Sequence, residues 1–364
     1  MWTCNSRRLS TSFLAVALAF AVLGAAPLAR AATVVSLPGT SARVVTATAA
    51  DGPALKSLIL SLRPGDQLLL APGTYNIGYV RIYGPAYTGT FTGTPAAPIT
   101  IGAADPGHRP LLVGGLQIWG ASYWKLRNVR IRAAGASLVA LNLYGGVGWQ
   151  VTGSEFYGAR LTNAITNVFI GGSNGLPRGF LFANNCVHDA ALGAPSVHTN
   201  HNIYVNYAGS GLAGGTITRN VIYGAPNGVG IKIGAGGAAS AIGPSGLQVL
   251  NNTIVLSGRQ VLFTGNVRNN RVYGNLFFGA LTPLSGDPRT MQVYSNLLTG
   301  SNNWLDHNYG YGSTMMLWDP AHAIRAFANA FSNAPAANPV LRGGLSCVGL
   351  VPSNPLAARY GARA

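Results

Sequence analysis

One short pattern recurs along most of this chain: an apolar strand, then Asn, then a second apolar strand. It reads FLFANNCVH (Phe180 to His188), GTITRNVIYG (Gly215 to Gly224), LQVLNNTIVL (Leu247 to Leu256), NRVYGNLFFG (Asn270 to Gly279) and MQVYSNLLTG (Met291 to Gly300). Weaker copies are WKLRNVRIRA (Trp124 to Ala133) and WQVTGSEFYG (Trp149 to Gly158). The polar positions Asn128, Ser154, Asn185, Asn220, Asn252, Asn275 and Asn296 recur at intervals of roughly 21 to 35 residues, a period that marks a stacked repeat architecture. Each copy alternates apolar and polar residues with a period of two, the pattern of a strand with one buried face. Asn tolerates the left-handed conformation that a tight turn between strands demands, and stacked Asn side chains hydrogen-bond from one repeat to the next. The longer intervals mark coils with protruding loops, the widest lying between Asn185 and Asn220.

The expected fold is therefore all-β: a coil of parallel strands with short helical caps at both ends, which repeat stacks need to cover their exposed core. Asp51-Gly52-Pro53 opens an expected capping helix with Leu55, Leu58, Ile59 and Leu62 on one face. Asp319-Pro320 opens an expected second helix carrying Ile324, Phe327, Ala328 and Phe331. The segment plan is a leader over 1–31, an amino-terminal strand and capping helix over 32–64, the coil over 65–313 and a capping segment over 314–364. The leader reading rests on Arg7 and Arg8, the apolar run from Phe13 to Ala26, and the small-residue site Ala29-Arg30-Ala31. It implies a secreted or periplasmic protein, and no later run is apolar enough to span a bilayer.

Composition narrows the function. The chain has 24 Lys and Arg against 8 Asp and Glu, a formal net charge of +16, and only 9% charged residues. So few acids leave little room for a dense carboxylate calcium site, a two-metal phosphatase or a glycosidase with paired carboxylates. No cofactor is expected. The basic surface points to a polyanion; in an exported protein, acidic polysaccharide, lipopolysaccharide or a membrane surface is preferred to nucleic acid, for which neither a metal cluster nor a phosphate loop is visible. A monomer is expected. Beyond Cys4 in the leader there are Cys186 and Cys347, which either pair in an oxidising compartment or remain buried thiols.

The segment GDQLLLAPGTY (Gly65 to Tyr75), followed by APITIGA (Ala97 to Ala103), RPLLVGG (Arg109 to Gly115) and the tail NPLAARYGA (Asn354 to Ala362), resembles the secreted right-handed parallel β-helix proteins of the pectate-lyase-like superfamily, and so implies that the coil is a single-stranded right-handed parallel β-helix. The openings are most similar to those of alginate and chondroitin lyases. The resemblance covers nearly the whole chain after the leader. It implies a polysaccharide-related role on a scaffold that also hosts hydrolases, epimerases and binders. Those lyases use a Lys/Arg pair with calcium held by Asn and Glu, and this chain lacks the Glu cluster. It also lacks the Asp set of polygalacturonases and the Asp-Pro-His motif of the epimerases.

One window concentrates chemically capable residues: His188, Asp189, His198, Asn200, His201, Asn202, Tyr204, Arg219 and Lys232. Aligning IYVN (Ile203 to Asn206) with IKIG (Ile231 to Gly234) sets Tyr204 beside Lys232, with Asn202, Tyr204, Asn206 and Lys232 pointing outward and Phe169 one coil before. Gly230 and Gly234 are expected to leave space for a sugar over Lys232. β-Elimination on a uronate needs a base for the C5 proton, an acid for the leaving O4 and a partner for the carboxylate. Lys232 or His201 is the expected base, Tyr204 the acid, and Arg219 with Asn202 the carboxylate partner, with Asn206 and His198 as further substrate contacts. His201 falls on the inward phase and Arg219 directly precedes a turn Asn, so each also has a structural reading. Lys125, Arg127, Arg130 and Arg132, with Tyr144 and Tyr157 nearby, form a second expected groove for an acidic chain, partly neutralised by Glu155. The preferred function is a lyase on an acidic polysaccharide; the alternative is a non-catalytic β-helix that binds polysaccharide or cell envelope.

Overall fold

The structure is a computed structural model and describes residues 32–36, 41–134, 139–159, 166–172, 175–190, 201–207, 214–234, 242–283, 288–297, 300–341, 345–348, 350, 352 and 354–362. The leader, His198 and Asn200 lie outside the described residues. Among the described residues, no helix is long and apolar enough to cross a membrane.

The chain winds as a parallel β-helix with three faces. The first face stacks strands such as Gln67–Leu70, Ile99–Ala103, Trp124–Arg127, Gln150–Thr152, Phe180–Ala183, Gly215–Thr218 and Gln248–Leu250, each parallel to the next. A tight turn leads to the second face, exemplified by Arg130–Arg132, Glu155–Tyr157 and Cys186–His188. A corner then leads to the third, exemplified by Leu141–Tyr144, Thr166–Gly172 and His201–Tyr207. The long strands Val221–Gly234 and Thr253–Arg268 run through that corner and serve both faces.

Alternation builds the core. Leu68, Ile101, Leu126, Val151, Phe182, Ile217, Val249, Val272 and Leu305 pair in one inward column and are all buried. The Trp124, Trp149 and Phe180 rings stack in the same interior, with centroids 5.7 and 4.4 Å apart. Each buried side chain of this size contributes about 1.5–3 kcal/mol.

The Asn ladder exists, with a shift in its detail. The left-handed residue is the one before the ladder position: Asn128, Gly153, Asn184, Arg219, Asn251, Gly274, His307 and Ala328 all have positive φ. The following residue turns inward and bonds along the stack, so the ladder runs Ser154, Asn185, Asn220, Asn252, Asn275, Asn308 and Asn329. Asn128 is thus a turn residue, and Asn296, an exposed residue of the third-face strand Met291–Leu297, is not a member. Each ladder Asn also donates to a carbonyl of the preceding coil, as Asn220 does to Phe182 and Asn252 to Ile217. A second, shorter column joins Asn270 to Asn303.

The amino-terminal cap forms as expected. A 3₁₀ turn over Ala49–Ala54 leads into an α-helix over Leu55–Leu60, with Leu55 and Ile59 buried and Asp51 accepting from the Thr48 backbone at 2.7 Å. The second expected helix does not form. Met315–Trp318, Ile324–Phe327 and Ala330–Phe331 are strands that extend the stack beyond residue 313. The open edge of the last coil offers unpaired backbone groups, Asn329 continues the ladder, and Ala328 takes the turn conformation; pairing on that edge outweighs a weak helical period. Phe327 consequently faces outward and is exposed. The tail then runs back along the second face. Cys347 is joined to Cys186 in a disulfide, Ala357 and Tyr360 pack on Leu276 and Tyr309, and Ala362 donates to the Thr253 hydroxyl at 3.0 Å.

Candidate active-site face

The third face carries the strongest cluster. Phe169, Tyr204 and Lys232 occupy successive outward positions of one column, and all three are half-buried. The Lys232 Nζ lies 4.5 Å from the centre of the Tyr204 ring. The Tyr204 ring meets Phe169 edge-on at 5.4 Å and His201 at 5.3 Å. Burial pulls the Lys232 ammonium below the usual lysine range and pushes the Tyr204 hydroxyl above the usual tyrosine range, because each charged form loses hydration.

The column continues through Leu262 to Tyr294. There the Arg259 guanidinium lies over the Tyr294 ring at 4.7 Å, largely buried, with its pKa lowered by that burial. Sequence reasoning passed over Arg259. Its signal was the one that flagged Lys232: a cation inside a glycine-flanked apolar strand, here SGRQVLFTG.

Other expected residues fall elsewhere. His201 is buried, in keeping with its inward phase. Asn202 does not point outward but is fully buried at the corner before the third face. It accepts from Asn167 at 3.0 Å and donates to the Tyr223 carbonyl at 2.8 Å. Asn167, Gln260 and Gln292 make the equivalent bonds to His188, Phe278 and Tyr311. These amides satisfy backbone carbonyls left over where the chain bends, so Asn202 holds the corner and touches no substrate. Asn206 is half-buried on the third face, in the column beside Lys232. Arg219 occupies a left-handed turn position between the first two faces and is exposed. It lines a cleft of about 650 Å³ with Arg109, Asn128, Asn184 and Cys347, and so belongs to a different edge from Lys232. The space over Gly230 is already filled: a side chain there would meet Ile254 at 2.4 Å and the Gln260 carbonyl at 2.7 Å. Over Gly234 it would meet Thr264 at 2.3 Å. These glycines serve close coil packing rather than a sugar.

The second expected groove is divided by its own turn. Trp124, Leu126, Val129 and Ile131 are buried as expected, but the left-handed Asn128 sends Lys125 and Arg127 to the first face and Arg130 and Arg132 to the second. Tyr144 lies on the third face and Tyr157 on the second. Arg130 is committed to Glu155 at 2.9 Å, where Arg109 and His188 also converge, at 3.2 and 3.4 Å. Burial works to raise the Glu155 carboxyl, yet the bonds from His188 and Arg130 and the nearby guanidinium charges outweigh it and hold it at about 2. His188 also bonds Asp189 at 2.9 Å and is stacked between Tyr157 and Tyr223.

Calcium held by Asn and Glu does not fit this arrangement, because the only glutamate is tied down on the second face. Among the described residues, the group of metal-ligand side chains within mutual reach is Cys186, His188 and Cys347, and its two sulfurs are spent on the disulfide.

Fold and site together define a parallel β-helix with a basic, aromatic outer face. No protein-family model matches the chain, and no curated protein matches it by sequence. Among solved structures it is similar to an alginate lyase from Paenibacillus sp. str. FPU-7, at 17% identity and a TM-score of 0.42, covering 80% of this chain and 100% of that one. It is also similar to a mannuronic acid-specific polysaccharide family 6 lyase from human gut microbiota, at 16% identity and a TM-score of 0.34, over 80% and 87% of the two chains. A periplasmic alginate epimerase is similar at 12% identity and a TM-score of 0.36, over 80% and 85%.

Proposed function

We propose that this chain is an exported lyase that cleaves an acidic, uronate-containing polysaccharide by β-elimination on its third face. The observation that carries the reading is the Tyr204–Lys232 pair, a partly buried amine and phenol side by side in one outward column. Lys232, its ammonium destabilised by burial, takes the C5 proton as a neutral amine. The C5–H electrons form the C4–C5 double bond, the C4–O4 bond breaks, and Tyr204 gives its hydroxyl proton to O4. Asn206 supplies a carboxamide to the reacting carboxylate, and Arg259, buried against Tyr294, adds positive charge beneath the same face. His201 fixes the Tyr204 ring from its buried edge.

Ultraviolet absorbance of the unsaturated uronate tests the reading. The protein is incubated with alginate, pectate, hyaluronan, chondroitin and heparin, beside Lys232→Ala and Tyr204→Phe. A rise on one polymer that both variants lose supports the lyase. A flat trace on every polymer, with retention on acidic polysaccharide, favours the non-catalytic binder, since cations stacked on aromatic rings serve binding equally well.

A further inference from the structure

Towards the amino-terminal end, the third face carries a second group of residues that the elimination chemistry does not use. Tyr83, Trp119 and Tyr144 pair in one outward column. The Trp119 ring contacts Tyr83 at 5.8 Å, Tyr87 at 5.4 Å and Tyr144 at 4.5 Å, and all four rings are half-buried. Tyr87 reaches Trp119 because Gly120 has a φ of +66; a side chain there would meet the Tyr87 ring at 2.6 Å.

The neighbouring column carries Arg81, Gln117 and Asn142. Gln117 and Asn142 are 3% and 8% exposed. Their amide oxygens, and the Trp119 indole nitrogen, are buried without a hydrogen-bond partner among the described residues. A buried polar group left unpaired costs about 1–3 kcal/mol, and three in one small area point to an outside partner that completes them. Arg81 stands exposed at the rim, its guanidinium over Tyr79 at 4.9 Å.

Aromatic faces, carboxamides and a guanidinium are what the apolar face, hydroxyls and carboxylate of a uronate sugar require. A continuous ring path links this block to the reactive pair: Tyr144 to Phe169 at 5.3 Å, then Phe169 to Tyr204. From Gln117 through Asn142, Phe169 and Tyr204 to Lys232 there are four coil steps, a distance of about 19 Å at a strand spacing of about 4.8 Å.

We propose that Trp119, Tyr144, Gln117, Asn142 and Arg81 form a distal saccharide-binding subsite, and that the acidic polysaccharide lies along the coil axis from this subsite to Lys232. The proposal rests on reading the Lys232 face as the place where an acidic polysaccharide binds. The span sets a length requirement: a disaccharide at Lys232 leaves the subsite empty, and an octasaccharide fills both.

Calorimetric titration of the cleavage-deficient Lys232→Ala protein with alginate and chondroitin disaccharides and octasaccharides tests this. The expected result is an octasaccharide of at least one polymer bound about tenfold or more tighter than its disaccharide. Trp119→Ala in the same background removes that advantage without changing disaccharide affinity, and Trp119→Phe, which keeps a ring, retains most of it. Equal affinities for the two lengths, an advantage that survives Trp119→Ala, or no binding of any of these sugars overturns the proposal. Failure of the lyase reading is distinguishable: the wild-type protein then forms no unsaturated product while the length dependence and its loss in Trp119→Ala persist.

Discussion

Replacing Asn252 by Ala tests the account of what holds the coils in register. Asn252 is fully buried. Its carbonyl oxygen accepts the Asn220 backbone N–H at 3.0 Å and the Asn220 side-chain N–H at 2.9 Å. Its amide donates to the Ile217 carbonyl and to Asn275, each at 3.0 Å. Alanine strands both Asn220 donors in an interior without a replacement acceptor. At about 1–3 kcal/mol per stranded group, the expected loss is about 2–6 kcal/mol. Urea unfolding followed by far-ultraviolet circular dichroism measures it, provided the coil unfolds as one cooperative unit, which coincident fluorescence and dichroism transitions establish. Asn296→Ala, outside the ladder and exposed, stays within about 0.5 kcal/mol of wild type. Asn252→Asp keeps the acceptor but buries a charge. That raises the carboxyl pKa in the folded state, so its deficit shrinks as pH falls and grows as pH rises. A loss below about 1 kcal/mol in Asn252→Ala would refute the claim that the ladder supplies the register.

The Glu155 carboxyl, held at about 2 against an ordinary 4.5, contributes stability that is present above the ordinary value and lost as pH falls between the two. Acid unfolding of wild type should show that loss, up to about 3 kcal/mol, and Glu155→Gln should lack it while being weaker at neutral pH. Cys347→Ser frees the tail from the second face; chemical unfolding should report a loss of about 2–4 kcal/mol, reproduced in wild type by reductant. If Lys232 is the base, elimination rises with pH through a limb below the ordinary lysine range. Lys232→Arg, which stays charged, should then abolish product formation in the absorbance assay while leaving polysaccharide retention intact.

Much of the fold was legible because its determinants are local and repeated. Alternation in QVL (Gln248–Leu250), RVY (Arg271–Tyr273) and their relatives fixes which side chains enter the core. The recurring Asn marks the inter-coil bond at Asn185, Asn220, Asn252 and Asn275, though not at Asn128 or Asn296. Aligning the inward residues Ile203 and Val205 with Ile231 and Ile233 sets Tyr204 against Lys232, as the structure pairs them, and a one-residue slip would turn every inward side chain outward.

The sequence by itself therefore determined the coil, its inward columns, its amino-terminal cap and the pairing of Tyr204 with Lys232. Tertiary structure decided the rest, because alternation says inward or outward and not where the chain bends. A left-handed residue at Asn128 splits one basic run between two faces, and another at Arg219 moves that arginine to a different edge from Lys232. A corner turns Asn202 from a sugar contact into a carbonyl partner. The unpaired edge of the last coil draws Ile324–Phe327 into a strand where local period suggested a helix. The disulfide between Cys186 and Cys347 spans 161 residues, and Arg259 meets Tyr294 only after the chain has completed a turn of the coil. Contacts that depend on where the bends fall, such as these, join segments far apart in sequence and exist only in the folded stack.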